Sequence, residues 1–188
     1  MDGAMVMPVS EQRYIQLALE DPEGKWELVD GCPRKKPFMT WEHGHVAREL
    51  TFELNLQLNR REWEVIHDSG KVRRNERNYF QPDVCVVSMD LVRRTFTRPG
   101  MFEAYSEPLP LVVEVWSPST GEYDVTDKLE DYKRRGDLEI WLVHPYERTV
   151  RAWRRQPDGS YQETIIQGGT VQLAFLPNVT IDLDRLFE

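Results

Sequence analysis

Cysteine is scarce. Cys32 and Cys85 are the only two in 188 residues, too few for a disulfide framework, and no Cys/His spacing has the pattern of a zinc site. No stretch approaches the roughly 18 consecutive apolar residues of a membrane span. Met1 to Pro8 places no basic residue ahead of its apolar ones and has no long apolar core, so no signal peptide is expected. Internal repeats and low-complexity segments are absent. A reducing cytoplasm is therefore the expected location, with no membrane partner. An excess of basic charge is also missing. Lys and Arg number 24 against 32 Asp and Glu, a formal net charge of −8, which counts against a passive nucleic-acid binder. It does not exclude an enzyme acting on nucleic acid, because acidic metal ligands lower the total while basic residues cluster. Such clusters occur at Arg34-Lys35-Lys36, at Arg73-Arg74 with Arg77, and at Arg93-Arg94, Arg134-Arg135 and Arg154-Arg155. Taken singly, each reads as a solvated face or loop.

Hydrophobic residues make up 40% and charged residues 30% of the chain, ordinary for a globular protein. The length suits one domain spanning residues 1–188. Ser10 caps an expected helix to Leu19. Trp26-Glu27-Leu28-Val29 reads as a strand, and Asp30-Gly31 as a hairpin turn with the return near Arg34 to Phe38. Thr40 is the expected N-cap of the longest helix, whose Ala47, Leu50, Leu54 and Leu58 form a core-facing stripe. His43 and His45, in its first turns, read as ordinary surface or hydrogen-bonded histidines. Glu62 to His67 is a short strand, and the basic stretch Val72 to Asn78 leads into Tyr79-Phe80. Ser88 to Pro110 reads as a loop with one helical turn. A helix is expected from about Glu122 to Arg135, stopped by Gly136, then strands at Leu138 to Val143, Thr149 to Arg154, Tyr161 to Ile166 and Thr170 to Ala174. The order predicts an α/β fold with a mixed sheet.

The chemistry concentrates between Gln81 and Val143. Asp83 to Val87 and Leu111 to Trp116 are near-continuous apolar runs, as in strands covered on both faces, yet they carry Asp83 and Glu114. An unpaired carboxylate buried in such a strand costs several kcal/mol, roughly, so a need for rigidly held negative charge is implied. If the two strands are neighbours, Asp83 and Glu114 can converge on one hard cation such as Mg²⁺. Lys128, at helical spacing from Asp124 and Tyr132, could reach over a strand end to orient a water or stabilise charge on phosphate. Taken alone, Asp124 and Lys128 form no more than an i,i+4 ion pair.

The ordered set Pro82-Asp83, Glu114, Ser117-Pro118-Ser119-Thr120, Asp124, Lys128, Tyr132, Gly136 and Glu139-Ile140-Trp141-Leu142-Val143 resembles the Uma-two family. So do Trp26-Glu27-Leu28-Val29-Asp30-Gly31 near the start and Leu176-Pro177 with Leu183 to Phe187 at the end. That family comprises bacterial endonucleases of the PD-(D/E)xK, restriction-endonuclease-like superfamily, and the likeness spans nearly the whole chain. It implies a restriction-endonuclease-like core: a central mixed β-sheet flanked by helices, with additional N- and C-terminal strands. It also implies a catalytic set of Asp83, Glu114, Lys128 and Glu27. Asp83, Glu114 and Glu27 would be ligands of Mg²⁺ or Mn²⁺, with Gln81, Asp124 and Tyr132 as auxiliary groups. The position two residues after Glu114, where the superfamily's lysine usually stands, is Trp116, so Lys128 supplies the charge from the following helix. His144-Pro145, where relatives have Asp-Pro, reads as a turn cap. The implied activity is metal-dependent hydrolysis of DNA by a homodimer. RNA cleavage and a non-catalytic nucleic-acid-binding or assembly module on the same fold are the alternatives.

Overall fold

The computed structural model describes residues 7–37, 39–119, 127–176 and 178–188. Ser10 caps α1 (Glu11–Glu20), its side chain accepting a hydrogen bond from the Arg13 amide. A single turn, Pro22–Gly24, leads into β1 (Trp26–Val29) and β2 (Cys32–Lys35). Asp30 and Gly31 both have positive φ, 50° and 86°, the backbone that a two-residue hairpin requires. Pairing therefore resumes at once, with Cys32 opposite Val29, and the return strand begins earlier than the expected Arg34.

Thr40 caps α2 (Trp41–Gln57) by accepting from the His43 amide. Ala47, Leu50, Leu54 and Leu58 are all buried, as their spacing predicts. After β3 (Trp63–His67), the basic stretch folds into a second hairpin, β4 (Val72–Asn75) and β5 (Asn78–Phe80). β6 (Val84–Ser88) is followed by α3 (Met89–Thr95), two turns capped by Ser88 where one was expected. Then come β7 (Leu111–Val115), α4 (Leu129–Arg135), β8 (Glu139–His144), β9 (Thr149–Arg155) and β10 (Tyr161–Gln167). The expected beginning of the α4 helix, with Asp124, lies outside the described residues. Gly136 ends α4 with φ 82°, a conformation that favours glycine. The tail adds β11 (Thr170–Gln172), β12 (Thr180–Asp182) and α5 (Leu183–Leu186). His144 is a turn cap: its Nδ1 accepts from the Glu147 amide at 3.1 Å.

Among the described residues the strands form three sheets. The six-stranded sheet has the order β10-β9-β8-β7-β6-β3, with β7 and β8 parallel and the other neighbours antiparallel. Its parallel pair brackets α4, which needs a crossover. The second sheet is β2-β1-β5-β4, and β11-β12 is a ribbon. On one face of the large sheet, Val84, Val86, Val113, Val115, Trp141 and Val143 pack with Ala47, Leu50 and Leu54 of α2. On the other, Cys85, Val87, Val112, Ile140 and Leu142 cluster with Leu129 and Tyr132 of α4. Both faces are covered, so the central strands read as continuous apolar runs.

Arg134 and Arg135, paired in the sequence as one solvated cluster, part company. The Arg134 side chain is 60% exposed, whereas that of Arg135 is 1% exposed and meets Asp137 Oδ2 at 3.0 Å. Arg135 also donates to the carbonyls of Arg73, Tyr105 (2.8 Å) and Glu107 (2.7 Å). It thereby fastens the end of α4 to β4 and to the segment before β7. Burial pushes the Asp137 carboxyl up despite the Arg135 charge and the Leu109 amide that it accepts. Arg135→Ala leaves a buried acid and three carbonyls without this donor, at a cost of about 3–5 kcal/mol near neutral pH. Because an acid held above its unfolded pKa is penalised only once it ionises, the deficit narrows as pH falls. Urea unfolding of the variant and parent at several pH values checks both the size and the trend.

Candidate active site

Three acidic side chains converge behind the hairpins, and each is brought there by a different strand. Glu27 sits in the middle of β1 and is 2% exposed. Its Oε1 accepts from the backbone amide of Gln81 at 2.8 Å. Asp83, just ahead of β6, is also 2% exposed, and Glu114, in β7, is 3% exposed. β6 and β7 are neighbours with Val84 opposite Val113, so one step further along this register Asp83 faces Glu114. The adjacency on which convergence depends is present.

None of these carboxylates is left uncompensated. Lys128, immediately before α4 and 1% exposed, places Nζ 3.0 Å from Glu27 Oε1 and 3.2 Å from Glu114 Oε1. Tyr132, one helical turn on, donates its hydroxyl to the same Glu114 oxygen at 2.5 Å. The i,i+4 spacing thus delivers both side chains to one acceptor. Asp83 has a different set of partners. Lys36 Nζ is 2.7 Å from Oδ1; His43 Nε2, at 2.9 Å, and the Val115 amide, at 2.7 Å, meet Oδ2. Burial by itself would raise the Asp83 carboxyl, but the Lys36 ammonium and the bond with His43 hold it well below the usual carboxylate range.

Gln81 joins the two halves. Its amide bonds Glu27, its carbonyl accepts from Lys36 at 2.8 Å, and its side chain links Lys71 Nζ (3.0 Å) to the Asp68 carbonyl (2.7 Å). It braces the strand end at which both halves meet. Asp124 lies outside the described residues, so its place beside Lys128 is not part of this geometry.

Lys36 escaped the sequence reading, whereas His43 is a hydrogen-bonded histidine as expected, with Asp83 as its partner. The basic cluster Arg34-Lys35-Lys36 read as solvated, but the Lys36 side chain is 4% exposed. Nothing in the local pattern marks it, because its burial comes with tertiary contacts to Gln81 and Asp83, just ahead of β6. His43 did carry a signal. It precedes Ala47, Leu50 and Leu54 at spacings of four, three and four, so it extends the buried stripe of α2 toward the sheet.

The donor set suits a hard divalent cation. Three buried carboxylates supply only oxygen, the ligand type that Mg²⁺ and Mn²⁺ prefer, and the Lys128 ammonium already stands as a cation shared by two of them. As these side chains stand, among the described residues no group of three or more His, Cys, Asp or Glu is placed so that it could hold a metal ion. The positions facing the acids are taken by ammonium groups. An open cleft of about 490 Å³ reaches this cluster from the side of Asp83, Lys36 and His43, and Glu27, Glu114 and Lys128 do not line it.

The buried lysines nearby are tuned in opposite directions. Burial penalises the Lys36 ammonium most, yet Asp83 together with Glu114 and Glu27 outweighs that and raises it above the ordinary lysine range. Lys71 bonds two neutral acceptors, the Trp26 carbonyl and Gln81, and burial lowers it to about 8, with Glu27 opposing and Lys36 adding to the fall. Side-chain NMR titration is therefore expected to show Lys71 losing its proton near pH 8 while Lys36 keeps its own throughout. The reverse order would contradict this electrostatic picture.

The family model described as "Putative restriction endonuclease", Uma2, matches residues 11–184. Among solved structures, the fold is similar to a protein of Anabaena variabilis ATCC 29413 described as "a putative nuclease belonging to DUF820". The TM-score is 0.76 at 18% sequence identity, covering 96% of this chain and 98% of that one. No curated protein sequence matches significantly. The β1 acid, the Pro-Asp before β6, the β7 acid and the lysine leading into α4 all fall within the matched residues: the chain belongs to the Uma2 family.

Proposed function

We propose that this chain is a metal-dependent endonuclease that hydrolyses phosphodiester bonds of DNA. The single observation that carries this reading is the convergence of Glu27, Asp83 and Glu114, from three separate strands, upon buried ammonium groups next to an open cleft. A fold does not need three buried acids and two buried lysines at one place. Replacing such groups with apolar ones is often neutral or stabilising.

Asp83, Glu114 and Glu27 would hold Mg²⁺ or Mn²⁺, which when bound supplies Lewis-acid polarisation of the phosphoryl group and a more acidic water. The protein's own contributions are positional and electrostatic. His43 and the Val115 amide fix Asp83 Oδ2, leaving Oδ1 on the side of Lys36. Tyr132 fixes Glu114 from the α4 side. Lys128 is the group that orients the attacking water or offsets charge developing on the phosphate, in the role of a compact, mobile point charge. Substrate approaches through the cleft beside Asp83. Cutting both strands of a duplex calls for two such sites, so the acting form is a homodimer.

Supercoiled plasmid and labelled single-stranded RNA, each incubated with protein in Mg²⁺, Mn²⁺ or EDTA, test the proposal. Plasmid nicking or linearisation is expected with metal alone, and RNA cleavage identifies the other substrate. Asp83→Ala and Lys128→Met each reduce the rate by at least roughly 100-fold, the scale of losing one charge-stabilising group. Activity that persists in EDTA, or that is the same in both variants as in the parent, would overturn it.

A further inference from the structure

Lys128 and Lys36 both compensate the acids, but they are held differently. Lys128 is clasped between two acids and takes no part in lining the cleft. Lys36 has one carboxylate at close range, Asp83, and its side chain lies on the cleft wall with His43, His67, Asp68 and Asp83. Asp68 Oδ1 stands 4.0 Å from the same Nζ, and the Asp68 side chain is 28% exposed. A second carboxylate, whose Oδ2 already holds Lys25, is therefore within a short swing of the lysine, on the cleft side, along a flexible four-carbon stem. Lys36 also bonds the Gln81 carbonyl, a neutral contact that a rotated ammonium can give up to water in the cleft.

We propose that Lys36 is a displaceable counter-cation of Asp83: its ammonium occupies the cation position at Oδ1 and moves toward Asp68 and the cleft when a divalent cation takes that oxygen. This inference rests on the reading of Asp83 as a metal ligand. A dication on Oδ1 and an ammonium hydrogen-bonded to the same oxygen are like charges in contact, which strongly disfavours joint occupancy. His43 and the Val115 amide occupy the other oxygen, so Asp83 stays oriented while its partner at Oδ1 changes. Metal affinity is then set by competition with a residue of the chain itself.

A purely structural Lys36 would also stabilise Asp83, so loss of stability on its removal does not discriminate. Metal affinity does. Mn²⁺ is titrated calorimetrically into the full chain and into Lys36→Met, Lys36→Gln and Asp83→Asn, without nucleic acid. Lys36→Gln keeps a hydrogen-bond donor to Asp83 and guards against a variant that fails to fold. Displacement predicts that at least one folded neutral variant binds Mn²⁺ about tenfold more tightly than the parent or better, while Asp83→Asn loses the site. Equal or weaker binding in the folded Lys36 variants, with Asp83→Asn still losing the site, overturns the displacement and leaves the metal reading intact. No binding in any protein, or binding unaffected by Asp83→Asn, overturns the metal reading and the displacement with it.

Discussion

Buried carboxylates tolerate burial only with opposite charge in contact, and that constraint organises this molecule. Isolated ionised groups inside a protein carry a desolvation penalty that only good geometry offsets. Glu27, Asp83 and Glu114 come from β1, the residue just ahead of β6, and β7, so no local structure can bring them their partners. The partners arrive from elsewhere: Lys36 from the connection after β2, His43 from α2 and Lys128 from the lead into α4. These contacts tie the first hairpin and two helices to one another and to the large sheet. The compensated cluster is thus both the junction of the two main sheets and the centre of the proposed chemistry.

Gln81 shows how closely those two roles coincide. Its amide and carbonyl touch a member of each half of the cluster, Glu27 and Lys36. Both links come from the main chain, so they follow from where the chain passes rather than from the identity of the side chain. The site is stiff where strands supply the acids and adaptable where long lysine stems supply the cations. That division suits a centre in which charge must be exchanged without rearranging the sheet.

Much of this was legible in the residues. Asp83 and Glu114 announced themselves as acids inside apolar runs, and the two strands are adjacent as convergence required. Lys128 and Tyr132 shared a predicted helix face and share one acceptor oxygen. Glu27 became visible only through the family's motif, because one acid in a four-residue strand is unremarkable by pattern. His43 could have been recovered from the α2 stripe. Lys36 could not: its burial is a property of tertiary packing, and a lysine beside another lysine reads as solvent-facing. Arg135 was hidden for the same reason beside exposed Arg134. The β4–β5 hairpin was obscured by the basic composition of Val72 to Asn78, although Val72, Tyr79 and Phe80 are buried.

Asp83, Glu114 and Glu27 are proposed to hold a divalent metal against which the lysines are balanced. Anomalous diffraction from crystals soaked in Mn²⁺ tests this most directly. The account predicts an anomalous peak at roughly 2.0–2.3 Å from carboxylate oxygens of Asp83 and Glu114, near the range for small hard cations, with Glu27 in or beside the coordination sphere. A fully occupied Mn²⁺ peak elsewhere, with all three acids still bound to their lysines, would contradict it.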